Sequence, residues 1–163
     1  MRSSMKETKR SADSRTVQHY LLMPGDLNGA NVLFGGRLLS WIDMLAGIVG
    51  MRHADAQVVT VAIDHLEFKR SAYAKDVVTL DGRVTWTGNS SMEVRVDSWR
   101  ENKGGVKELI NTAYVVMVAV DDITGKPIEV PGLRLETEED VKDWEAGMRR
   151  AAARRERRRE EQG

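Results

Sequence analysis

The chain has 163 residues, 41% of them apolar and 31% charged, which suits one globular domain with a sizeable core. It has no cysteine and no run of 18 apolar residues, which excludes disulfides, thiolate metal ligands and a transmembrane helix. The formal net charge of zero hides an asymmetry: residues 149–163 hold seven Arg and three Glu, a net of +4, so the remainder carries −4.

Residues 1–15 are polar, basic and short of large apolar side chains, and read as a disordered arm with no secretory signal. With the missing cysteines, this points to the cytoplasm. Residues 17–23 (VQHYLLM) read as a first strand closed by Pro24-Gly25, and 25–36 as a loop rich in Gly and Asn. A helix follows over about 37–53. Leu38, Ile42, Leu45 and Val49 share one face, and Leu39, Ala46 and Ile48 widen it until the helix is apolar nearly all round, the pattern of a buried helix. Its only acidic residue is Asp43.

Four strand signals come next, at 58–68, 76–86, about 92–97 and 110–120. Val78, Leu80, Val84 and Trp86 are expected on one face of the second. The breaks SAYAK, TGNS and ENKGG are turns, and TGNS is short enough for a hairpin. After a Pro-flanked linker at 126–131, Thr137 and Asp140 form a capping-box pattern ahead of a charged helix running towards Arg159. The division is therefore a disordered segment at 1–15, one domain at 16–135, and a charged helix with a basic tail at 136–163. One strand, a buried helix and four consecutive strands describe an α+β fold, an antiparallel sheet wrapped round a helix. Its open edge favours a dimer.

Asp43 is the sharpest chemical signal. A carboxylate in a buried apolar helix loses hydration, so its pKa is expected to rise and its basicity towards water with it. The structural alternative is an Asp paired with Arg52 or His53. Gly35-Gly36 lets a ligand approach the start of the helix, where free N–H groups can polarise a carbonyl becoming an oxyanion; the alternative is a plain Gly-rich helix start. Asn28 can orient water or substrate, or can simply make a turn. The tryptophans Trp41, Trp86, Trp99 and Trp144 are expected in the core or at interfaces. The histidines lack metal-ligand spacing, and no Walker loop, dinucleotide pattern or nucleophile elbow is present.

The stretch at 23–54, with Asp26-x-Asn28, Phe34-Gly35-Gly36 and Asp43, resembles the hotdog-fold acyl-CoA hydrolases, the branch that holds the cytosolic brain-type enzyme and its small bacterial relatives. VVTVAIDHLEF, GNSSMEV and the segment after the sheet extend the resemblance over about 17–150. It implies a hotdog fold and hydrolysis of fatty acyl-CoA without a metal or other cofactor. It gives Asp43 the role of general base or nucleophile. It gives Asn28, from the facing subunit, the placing of water or substrate, and the Gly36 N–H the polarising of the carbonyl. It also implies a homo-oligomer, a dimer at least and a trimer of dimers by family habit. Phe34, Gly35, Arg70, Ser90 and Ser91 are nominated for contacts with coenzyme A, and Leu45, Phe68 and Met92 for an acyl tunnel. The rival reading on the same fold is a non-catalytic acyl-CoA sensor. Residues 1–15 are too short for a helix-turn-helix, so no nucleic-acid partner is expected, and no membrane either. A dehydratase would need an Asp–His pair, and His53 stands ten residues from Asp43, turned by about 80° round the helix and displaced by about 15 Å along it.

Overall fold

A computed structural model describes residues 6–64 and 66–163; residues 1–5 of the expected disordered arm, and His65, lie outside it. In chain order the elements are β1 (Thr8–Arg10), α1 (Ser11–Ser14), β2 (Thr16–Leu21), a 3-10 turn (Pro24–Asp26), α2 (Gly35–Ala54), β3 (Gln57–Asp64), β4 (Val77–Thr87), β5 (Ser91–Glu101), β6 (Lys107–Val120), β7 (Gly132–Arg134) and α3 (Glu138–Gln162). Strands β2, β4, β5, β6 and β3 lie side by side in that order, every neighbour antiparallel, while β1 pairs in parallel with β7 apart from them. No helix among the described residues is long and apolar enough to cross a membrane.

Alternation places the core. Val78, Leu80 and Val84 of β4, and Met92, Val94 and Val96 of β5, turn to the concave face and are buried against Leu38, Ile42, Leu45 and Val49 of α2. Full burial of such side chains is worth about 2 kcal/mol each, so this contact is the main source of cohesion. Helix α3 covers the convex face of the same sheet. Gly147 permits that approach, since a Cβ there would stand 2.6 Å from the Trp86 Cβ. Thr137 caps α3 as expected: its Oγ1 accepts from the Asp140 N–H at 3.0 Å and its own N–H donates to the Asp140 carboxylate at 3.1 Å.

Four expectations are corrected. Residues 8–14 are structured, as β1 and α1, and are tied down by a buried hydrogen bond from Ser11 Oγ to the Val84 carbonyl at 3.0 Å. The first long strand after α2 ends at Asp64 rather than reaching Phe68. Trp86 does not share a face with Val84. A β-bulge between them shifts the register, so Val84 pairs with Val94 on the concave side and Trp86 with Glu93 beneath α3. Finally, α2 is not buried all round: Asp43, Met44 and Met51 on its far side are exposed in the single chain. An all-round apolar helix with one bare face is built for two covers, its own sheet and something beyond the chain.

Candidate active site

The far side of α2 faces the free edge of the sheet along β3. There Thr60 Oγ1 donates to Asp43 Oδ1 at 2.6 Å, a short charge-assisted bond that fixes one carboxylate oxygen and leaves the other open. Arg52 and His53, the alternative partners, are engaged elsewhere. Arg52 donates to Thr16 Oγ1 at 2.8 Å, and buried His53 donates through Nε2 to the Pro131 carbonyl at 2.8 Å. The burial expected around Asp43 is not supplied by this chain, whose carboxylate is open to solvent.

The loop before α2 is held by backbone bonds. The Phe34 N–H donates to the Asp26 carbonyl at 2.9 Å, and Leu27 bridges Leu33, so Asn28 is kept near the start of the helix. Asn28 Oδ1 accepts from the N–H groups of Ala30 at 2.9 Å and Val32 at 3.4 Å, a side-chain turn that leaves the amide N–H2 available to donate. The turn and the functional expectations for Asn28 are thus compatible. Helical bonding begins with the Arg37 N–H on the Phe34 carbonyl at 2.9 Å, so the N–H groups of Gly35 and Gly36 precede it at the positive end of the dipole. A Cβ at 36 would stand 2.6 Å from Phe34 Cε1, so any larger residue there displaces the half-exposed Phe34 ring. Phe68 packs over Gly35, its Cζ 3.4 Å from where a Cβ on that residue would stand, so two aromatic rings frame the helix start.

Asp43 follows Gly36 by seven residues, two turns of helix and about 10 Å along its axis, on the same face. One thioester carbon cannot touch both within one chain. The remaining nominees scatter. Ser90 and Ser91 line a cavity of about 330 Å³ between the β4–β5 hairpin and α3. Arg70 stands beside Glu108 at the far end of β6, 3.7 Å from its carboxylate. Leu45 and Met92 are fully buried core, whereas Phe68 is half exposed. Among the described residues no cluster of three or more His, Asp and Glu is placed to hold a metal ion. Thr60 was not legible in the sequence, since one Thr in a strand rich in β-branched residues carries no signal until its hydroxyl is seen on Asp43.

Comparison with known proteins gives a consistent picture. Residues 30–107 match the thioesterase superfamily. An uncharacterized acyl-CoA thioester hydrolase of Bacillus subtilis, YkhA, is 39% identical over 96% of this chain and 91% of its own. The cytosolic acyl coenzyme A thioester hydrolase of Rattus norvegicus is 33% identical over 80% of this chain and 35% of its own. A crystal structure of an apo-hexameric acyl-CoA thioesterase superimposes with a TM-score of 0.86 at 37% identity, covering 93% of this chain and 97% of the other. The acyl-CoA hydrolase of Staphylococcus aureus, in complex with butyryl coenzyme A, coenzyme A and coenzyme A disulfide, gives 0.87 at 32% identity, covering 95% and 94%. Structures of that protein are also known for three separate single variants, with Ala in place of its Asn28, its Asp43 or its Thr60.

Proposed function

Because the chain belongs to the thioesterase superfamily, with the hotdog fold of its acyl-CoA thioester hydrolases, we propose that it hydrolyses fatty acyl-CoA to a free fatty acid and coenzyme A at sites shared between two protomers. Asp43 and Thr60 come from one protomer, and Asn28 and the Gly36 N–H from the other. The observation that carries this reading is the Thr60–Asp43 hydrogen bond on the exposed side of α2, about two helical turns from the nearest free N–H of its own chain. Docking a second β3 edge against the first supplies the missing half and also the burial that Asp43 lacks. The Staphylococcus aureus hydrolase, altered at an Asn, an Asp and a Thr bearing these same three numbers, lends support. The hexameric thioesterase supports assembly beyond the dimer, and the rat relative's name supports a cytosolic setting.

In this reading the thioester carbonyl oxygen rests on the Gly36 N–H at the helix start, and Asn28 holds the attacking water through its free amide. The water oxygen bonds to the carbonyl carbon while Asp43 takes its proton. The oxyanion then collapses, the carbon–sulfur bond breaks, and the coenzyme A thiolate leaves and is protonated. Removing one oxyanion donor typically costs a factor of about 10²–10³, and removing a positioned base about 10²–10⁴. Asp43 can also attack the carbonyl directly to give an anhydride. One turnover in oxygen-18 water separates the routes, because only direct attack leaves label in Asp43. The test of the function itself is release of free thiol across acyl-CoAs of graded chain length. Turnover by the native protein and its loss in Asp43→Asn are expected; unchanged turnover in that variant overturns the assignment. Binding of acyl-CoA without turnover by the native protein turns the reading into that of a sensor.

A further inference from the structure

The chain has two phenylalanines, and both stand half exposed at the start of α2. Phe34 is 54% exposed and Phe68 50%, although such side chains ordinarily belong in the core. The core does not need them: Leu33 and Leu66, close by in the same two loops, already pack against it. Each ring instead lies on one of the paired glycines. Phe34 Cε1 and Cζ are 2.6 and 2.8 Å from where a Cβ on Gly36 would stand, too close for any side chain there. Phe68 Cζ and Cε2 are 3.4 and 3.6 Å from the same point on Gly35, in ordinary van der Waals contact.

The backbone behind both rings is tethered. The Phe34 N–H donates to the Asp26 carbonyl at 2.9 Å. The Leu33 N–H donates to the Ala72 carbonyl at 2.8 Å, which ties the loop of Phe34 to the loop of Phe68. On one side of Phe68 the Lys69 N–H donates to the Ile110 carbonyl at 2.8 Å. On the other, the Glu67 carbonyl accepts from the side-chain amide of fully buried Asn111. Exposed aromatic residues on a backbone held at this many points are not frayed loop tips. They are kept beside the N–H groups of Gly35 and Gly36. Aromatic rings attract methyl and methylene groups, and they strip water from a charge without returning a hydrogen bond.

We propose that Phe34 and Phe68 form an aromatic collar round the first carbons of the acyl group, which admits apolar acyl chains and rejects those with a carboxylate beside the thioester; this rests on the reading of the substrate as an acyl-CoA. It moves Phe34 from the coenzyme A side of the thioester to the acyl side. Gly36 then has two duties: its N–H meets the carbonyl oxygen, and its missing side chain leaves room for the Phe34 ring. The collar belongs to the same half-site as Gly36 and Asn28. Assembly that brings the other protomer's Asp43 to Gly36 therefore brings it to the collar as well.

Isovaleryl-CoA and malonyl-CoA make the test, because their acyl groups have nearly the same shape and differ in charge. Thiol release from each is measured for the full native chain and for Phe34→Ser, Phe68→Ser, Phe34→Leu and Gly36→Ala. Affinities are measured by calorimetry in the Asp43→Asn chain, whose turnover is expected to be lost. The native chain should favour isovaleryl-CoA about a hundredfold in kcat/KM, and each serine variant should lower that ratio about tenfold. Phe34→Leu, which stays apolar, should keep it. Gly36→Ala, which displaces the ring, should lower it as Phe34→Ser does and lower it no further in combination with Phe34→Ser. Equal use of the two substrates by the native chain, or an unchanged ratio in both serine variants, overturns the proposal. So does a serine variant that light scattering shows to have come apart into single chains, since its ring is then a contact between copies. If the native chain binds isovaleryl-CoA in preference to malonyl-CoA but never releases thiol, the hydrolase reading fails and the collar stands. Binding of neither overturns both.

Discussion

Thr60 positions Asp43, and its contribution is separable from that of the carboxylate. Thr60→Val removes the hydroxyl and keeps the shape, so kcat is expected to fall about tenfold, the value of one oriented hydrogen bond to a charged group. Thr60→Ser restores the donor and should restore most of the rate. A rate for Ser as low as that for Val means the threonine methyl, not the hydroxyl, matters. A second residue effect concerns stability. His53 is fully buried, its Nε2–H is spent on the Pro131 carbonyl, and its Nδ1 has no partner among the described residues. Burial above all, with Lys9 nearby, holds its pKa below the usual 6.5. The unfolded chain therefore binds a proton more readily than the fold does. Stability from this site is complete above about pH 6.5 and is lost as pH falls below it. Melting temperatures between pH 7 and pH 5 should fall less steeply in His53→Gln than in the native chain, and parallel profiles refute the assignment. Asp43 was legible because a charge inside an apolar periodicity stands out. His53 and Thr60 were not, because their roles depend on Pro131 and Asp43, distant in sequence and met only through the fold.

At the scale of elements, α3 is fastened to the sheet by a buried ion pair rather than by an apolar stripe. Glu93 has no exposed surface, and its oxygens are divided among Arg150, Thr85 and the more distant Arg154. The Arg150 guanidinium also lies 3.6 Å from the Tyr114 ring centroid. Removing one partner of such a pair strands a buried charge. Arg150→Met is expected to cost about 3 kcal/mol in denaturant unfolding, and Arg150→Met with Glu93→Met to recover most of it. A single variant as stable as the native chain means that α3 is held by other contacts. The capping residues and the extent of α3 were legible in the sequence. That a run of arginines lies against strands was not, since Arg150 and Arg154 look like a solvated tail until Glu93 and Asp64 are seen beneath them. The same limit applies to Trp86. Period-two alternation predicts its face correctly only for an unbroken strand, and one bulged residue moves it to the opposite layer, where it meets Trp144 at 6.2 Å between ring centroids.

For the whole molecule, a single chain leaves an incomplete surface. Met44 is 57% exposed, Val59 47% and Val61 46%, all along α2 and the unpaired β3 edge, where a soluble protein ordinarily hides its apolar groups. Sequence gave the reason for a partner, an open edge and a helix apolar on too many sides, without giving its position. In the proposed reading, the position follows from where Asp43 and Thr60 lie relative to Gly36 and Asn28. A two-fold dimer then has two equal composite sites. Asp43→Asn is nearly isosteric and should abolish most turnover with the fold intact. Asn28→Ala should lower turnover by a smaller factor, because positioning contributes less than the base. The two variants, each purified inactive or weak, are then mixed under conditions where subunit exchange is followed with an affinity tag. Half of the dimers become mixed. In each mixed dimer one site carries both defects and the other carries neither, so about a quarter of native activity should return. Recovery to that level requires Asp43 and Asn28 to meet across the interface. With exchange verified, activity that stays at the average of the two parents places both residues in one chain's site, or leaves Asn28 as the turn residue that its bonds to Ala30 and Val32 already make it.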